Sequence, residues 1–128
     1  MPSISEDVRG AIKTALANVN ANVYDHVPEA PQVPAVLVIP SSPYMEMEVL
    51  GKVTTRVKLN YTITAAVAYL SNPASLDNLE KLVLSILGAL SSSKYELSTV
   101  SQPAVTQVGA VNLLVSDISL SVRYEQTA

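Results

Sequence analysis

Apolar and polar residues alternate without a break from Val53 to Tyr69. Val53, Thr55, Val57, Leu59, Tyr61, Ile63, Ala65, Val67 and Tyr69 fall on one side. Thr54, Arg56, Lys58, Asn60, Thr62, Thr64, Ala66 and Ala68 fall on the other. Period two over such a run predicts a half-buried β-strand, and its β-branched and aromatic residues suit a pleated surface. At about 3.3 Å per residue the strand would reach roughly 55 Å if straight. A compact chain of 128 residues has a radius of gyration of about 14 Å, hence a diameter near 35–40 Å. The strand is too long for the body that carries it. Either it bends at a bulge, or one end projects and finds its partner on another chain.

Helical spacing appears twice. Ser3 with Glu6 three residues later is a capping box that opens a helix to about Val19. Ile4, Val8, Ala11, Ile12, Ala15, Leu16 and Val19 draw its apolar stripe. Asn72-Pro73 places an N-cap before proline at the first helical position, and Leu76, Leu79, Leu82, Val83, Ile86, Leu87 and Leu90 mark a second amphipathic helix.

The other segments read as extended. Val23-Tyr24 is a short strand, and Pro28, Pro31 and Pro34 space out a stiff connector. Ala35 to Ile39 is a continuous apolar run closed by Pro40, the pattern of a strand buried on both faces. Ser41-Ser42-Pro43 predicts a turn. After it Met45, Met47 and Val49 alternate with Glu46 and Glu48, so Tyr44 to Tyr69 forms two arms of an extended hairpin through Gly51-Lys52. Tyr95 to Val108 is extended, with Pro103 demanding an edge or a bulge. Val108-Gly109-Ala110-Val111 predicts a II′ hairpin turn whose register pairs Val105 with Leu114, Leu97 with Val122 and Tyr95 with Tyr124. The last strand turns Leu114, Ile118, Leu120 and Val122 inward. The expected fold is α+β, a mainly antiparallel sheet with a long hairpin and both helices on one face. No linker divides it, so residues 1–128 are read as one domain.

Composition narrows the picture. Apolar residues make up 48% of the chain, with no Phe or Trp, so the core is built from small branched side chains. Charged residues are 15% and the net charge is −3; the eight basic residues never cluster, which argues against gripping phosphate. Cysteine is absent, excluding disulfides, thiolate ligands and a cysteine nucleophile, as suits a chain made in a reducing cytoplasm. The N-terminal segment lacks the basic and apolar regions of a signal peptide, and no apolar run approaches the ~20 residues of a membrane span. The sequon Asn60-Tyr61-Thr62 therefore carries no weight.

Candidate chemistry is thin. His26 is the single histidine, and its neighbour Asp25 would point to the opposite face of a strand. With Glu29 it has no recognised metal spacing, and it reads as a surface residue. Glu46 and Glu48 have the spacing of a carboxylate pair but sit on what should be a solvated strand face. The four scattered glycines make no phosphate loop, and no Gly-x-Ser-x-Gly elbow occurs. An enzyme is not expected, nor is a metal or cofactor. Tyr44, Met45 and Met47 have the residue types of interfaces. Either they dock a partner or the methionines pack beneath their own sheet. With Val49, Leu50, Val53 and Arg56 they form the candidate interface.

Several strings then look familiar: Val23-Tyr24-Asp25-His26-Val27-Pro28-Glu29, Val33-Pro34-Ala35, Ser71-Asn72-Pro73-Ala74-Ser75-Leu76-Asp77-Asn78-Leu79-Glu80, Val105-Thr106-Gln107-Val108-Gly109 and Asn112-Leu113-Leu114-Val115. Together, and over nearly the whole chain, they resemble the tail terminator proteins of long-tailed phages of actinobacteria. The resemblance implies a virion subunit, assembled in the host cytoplasm. It would form a homohexameric ring on the head-proximal end of the tail tube, stopping tube polymerisation and meeting the head–tail connector or stopper protein. Genome DNA would pass through without specific binding, and no membrane or cofactor is involved. Other readings are a different neck component, the tube subunit, or, in another class, a small enzyme or ligand-binding domain centred on Asp25, His26 and Glu29.

Overall fold

The computed structural model describes residues 8–25, 32–50, 54–69, 73–91, 95–108 and 111–127. Its elements are α1 (Gly10–Ala15), β1 (Asn22–Tyr24), β2 (Ala35–Leu50), β3 (Thr54–Ala68), α2 (Pro73–Ala89), β4 (Tyr95–Val100), β5 (Ala104–Val108) and β6 (Val111–Thr127). The six strands form one sheet in the order β1-β2-β3-β6-β4, with β5 also paired to β6. Every pairing is antiparallel except β1 on β2. The expected α+β class and long hairpin are both present.

The alternating run is β3, the spine of the sheet. It pairs with β6 without a register break, from Thr54 opposite Thr127 to Ala68 opposite Leu113. Its other edge pairs with β2. No bulge interrupts β3 against β6, and β3 is not a bare strand at either edge. β2, with 16 residues, and β6, with 17, match its 15 and run out beside it, so the projecting end is a small sheet.

Irregularity is concentrated in β2. Pro40 lies opposite Tyr61 and Met45 opposite Leu59, so Ser41 to Tyr44 all face Asn60. The expected turn at Ser41-Ser42-Pro43 is instead a wide bulge within one continuing strand. Proline has no N–H to give a ladder, and a bulge at a sheet edge tolerates it. The bulge is held by hydroxyl contact between Ser41 and Thr62 at 2.7 Å and by Asn60 Nδ2 donating to the Pro43 carbonyl at 3.0 Å. It also changes the phase of the strand: Val36 and Val38 face the helices before it, Met45 and Met47 share rows with core-side Leu59 and Val57 after it. A second slip at Glu48 sets Val49 opposite Arg56.

Both helices cover one face. Val8, Ile12, Leu16 and Val19 are buried, as the stripe predicted, although α1 ends at Ala15 and tightens into a 3₁₀ turn over Leu16–Asn18. The capping box at Ser3 and Glu6 lies outside the described residues. In α2, Leu79, Leu82, Val83 and Ile86 are buried, followed by Leu90, against Val36, Val38, Leu59, Tyr61, Ile63, Ile118 and Leu120. Leu76, expected in that stripe, is 44% exposed. A smaller cluster of Ala35, Ala66 and Leu113 with Tyr24, Val33 and Val115 closes the opposite face at one end, so Ala35 to Val38 is buried on both sides, while Ile39, expected in the same run, is half-buried.

The terminal hairpin pairs Val108 with Val111 and Val105 with Leu114, as the turn signal predicted, while Gly109 and Ala110 lie outside the described residues. Farther along, Leu97 faces Leu120 and Tyr95 faces Val122, two residues from the expected partners. The irregularity between Leu97 and Val100, then the break at 101–103, each add one residue to that side. Two slips restore the pleat, so the apolar matches survive with different partners.

Leu82→Ala or Ile86→Ala should cost about 2–5 kcal/mol, because each leaves a cavity between α2 and the sheet. Leu76→Ala should leave the melting temperature nearly unchanged. Thermal denaturation of the three variants followed by circular dichroism checks the contrast.

Candidate functional site

The helices lie over one end of the sheet. The other end, made of the distal parts of β2, β3 and β6, forms an apron with two unlike faces. On the helix side, Met45 is 45% and Met47 is 72% exposed, beside half-buried Val57 and Tyr124. On the other side stand Glu46, Glu48, Arg56, Lys58, Arg123 and Glu125.

The candidate interface residues divide between these faces. Tyr44, inside the first bulge, turns toward the core. Its ring meets Tyr61 edge-on at 5.6 Å, and the two hydroxyls are 3.1 Å apart. Burial, then the Tyr44 hydrogen bond, raises the Tyr61 phenol well above its ordinary range. Tyr44 is therefore the anchor that fixes the hairpin to the core, not a free docking side chain. Met45 and Met47 stay open on the apron. Arg56 projects from the reverse face, donating from Nε and Nη2 to Glu125 at 3.2 and 2.7 Å. The backbones of Val49 and Leu50 pair with Arg56 and Thr55; their side chains, and Val53, lie outside the described residues.

The charged face is a cross-strand lattice. Asn60 Nδ2 donates to Glu46 at 2.9 Å, and Asn60 Oδ1 accepts from Ser121 at 2.7 Å. Arg123 reaches Glu48 at 3.2 Å on one side and Glu96 on the other, while Lys58 stands 3.9 Å from Glu96. Thr64 donates to Asp117 at 2.7 Å. Glu46 and Glu48 are thus held separately, by an amide and a guanidinium, rather than as a carboxylate pair. Arg56 and Lys58, which share one row of β3, are matched by Glu125 and Glu96. Arg123 pulls the Glu96 carboxyl below its usual range, and Glu96 and Glu48 raise Arg123.

Asp25 follows β1 and is half-buried, whereas His26 and Glu29 lie outside the described residues. A groove of about 330 Å³ between α2 and the β2–β3 end is lined by Val19, Pro34, Val67, Asn78, Lys81 and Ser85, among others, without Asp25. Among the described residues no group of three or more His, Cys, Asp or Glu side chains could hold a metal ion, and no helix is long and apolar enough to cross a membrane.

The hydrophobic pattern of the sequence states neither the Tyr44–Tyr61 contact nor the ionic lattice. The lattice had a signal, since Arg56, Lys58 and Arg123 alternate in strands whose partners carry Glu at matching parity. The tyrosine pair had none, because only the bulge brings Tyr44 inward.

No family model matches the chain, and no curated protein matches it. Among solved structures it is similar in fold to a chain from the virion of a native gene transfer agent particle. That similarity has a TM-score of 0.52 and 14% identity, covering 97% of this chain and 92% of the other. At that identity the likeness is one of fold.

A lowered carboxylate pKa adds stability that is complete above the unfolded value and is lost as pH falls through the folded one. Melting temperature should therefore fall on acidification below about pH 5. Glu96→Gln should flatten that fall slightly. Because both partners are exposed and screened, the difference should shrink further in high salt. Melts of wild type and variant across pH, at low and high salt, measure it.

Proposed function

We propose that this chain is a structural subunit of a phage-type virion, and that it forms the ring capping the head-proximal end of the tail tube. The observation that carries this is the apron: an extension of the sheet with one apolar face that the chain's own helices leave open. A monomer gains nothing from exposing Met45 and Met47 beside Val57 and Tyr124, whereas an assembly subunit covers them on joining its neighbours. The fold likeness to a chain of a gene transfer agent virion, over nearly the full length of both, supports the setting. The sequence resemblance to tail terminators supports the specific role.

In that role the subunit stops tube growth and gives the head connector a surface to meet. The charged face suits a DNA conduit. Its cations Arg56, Lys58 and Arg123 are already matched to carboxylates, leaving no guanidinium row to grip phosphate.

Light scattering on the purified chain should show a ring-sized species, with rings in negative stain. Met45→Asp combined with Met47→Asp should keep the circular dichroism spectrum and abolish the rings. Virions assembled without the subunit should carry tubes that overrun their normal length. Tails of normal length that fail to join heads would instead mark another neck component, and missing tails would mark the tube subunit.

Short duplex DNA should not bind the isolated chain at physiological salt. Fluorescence anisotropy with labelled duplex checks this, since phosphate contacts of any number give strong, salt-dependent affinity.

A further inference from the structure

The helix-bearing face holds a second apolar opening, at the opposite edge of the sheet from the methionines. It is a groove of about 370 Å³ between α2 and the β4–β5 edge, walled by Leu79, Val83, Leu84, Leu87, Val100 and Pro103. Leu84 is 67% and Val100 is 44% exposed. The groove exists because α2 packs over β3 and β6, while the edge strand breaks at 101–103 and leaves a gap beside the helix. Its polar base is already satisfied: Ser116 Oγ donates to the Ser101 carbonyl at 2.6 Å. Glu80 also lines the opening and is exposed; the rest of the wall is apolar and leaves space for an apolar side chain.

We propose that Met45 and Met47 of one copy seat in the α2/β4–β5 groove of the next, so that the chain assembles head to tail. This rests on the ring proposed above and specifies how neighbours meet. Within one copy the two surfaces cannot meet, because β3 and β6 separate β2 from β4. At about 4.8 Å per strand spacing that is roughly 14 Å. The methionines share rows with Leu59 and Val57, and Val100 shares one with Ile118, all core-side positions. Both surfaces thus open on the same face, and a neighbour can join without being turned over. A knob on one edge and its socket on the other make a heterologous contact, the kind that closes into rings.

Strand addition is a poor alternative at this edge. Pro40, Pro43 and two register slips interrupt β2, which are devices that block edge-to-edge pairing. Side chains must carry the contact. An unbranched, flexible thioether suits an irregular groove. A symmetric methionine-to-methionine contact would leave the groove empty.

The chain has no cysteine, so introduced thiols report contacts cleanly. Met47→Cys with Leu84→Cys in one chain should give, under mild oxidation, a ladder of cross-linked species that thiol reduces to monomer. Each single variant should stay monomeric on the same gel. Mixing the two single variants should give cross-linked dimers and nothing larger. Leu84→Asp should keep the wild-type melt and lose the rings. Rings that persist in Leu84→Asp, or a double-cysteine ring that yields no ladder, would overturn the head-to-tail seat and leave the ring itself standing. Complete dimerisation of Met47→Cys alone would replace it with a symmetric contact. A wild-type chain that stays monomeric in light scattering would take down the ring and this inference together.

Discussion

β3 is hydrogen-bonded along both edges, and its two rows of side chains decide what each face of the molecule is made of. Leu59, Tyr61, Ile63, Ala65 and Val67 lie under the helices; Arg56, Lys58, Asn60, Thr62 and Thr64 lie on the reverse. A slip of one residue against β6 would put the second row beneath Ile86 and Ile12 and strand the first in water. That penalty fixes the register, and the register fixes the partners of β2, β4 and β5 in turn. Helix placement follows as well, because a single apolar face is available to receive two stripes.

The bulges of β2 are what let one strand serve two purposes. Before the first, β2 is an interior strand with apolar neighbours on both sides. After it, the phase has changed, Tyr44 is tied to Tyr61, and the strand continues as the outer arm of the apron. The hydroxyl pair and the edge-on rings hold that junction, so the exposed arm is rigidly mounted on the core. The ionic lattice does the corresponding work on the reverse face, where Arg123 spans from Glu48 on β2 to Glu96 on β4. It joins four adjacent strands without making a sticky surface.

Much of this fold is written in local periodicity. The alternation around Tyr61 and the stripes through Ile12 and Leu82 name their own elements, because burial on one face imposes period two or 3.6. Pairings across a break are harder. Tyr95 and Leu97 met other partners than expected because two single-residue slips leave parity, and therefore hydrophobic pattern, unchanged. Ser41-Ser42-Pro43 carries the same signal for a turn and for a bulge, and only the long-range fit to Asn60 decides between them. The candidate surface was half legible. Met45 and Met47 stand out as flexible apolar residues alternating with Glu46 and Glu48, but the groove beside Leu84 depends on where α2 lands, which no local pattern states.

The unbroken β3–β6 ladder also has a mechanical meaning. Its ends are the free tip of the apron and the helix-covered body. A pull between those ends runs along the strands, so it loads the cross-strand hydrogen bonds in shear and spreads over all of them together. Peeling β2 or β4 outward would load them one at a time. The molecule is thus stiffest along the axis through which the apron would pass force to a neighbour, and softest across it.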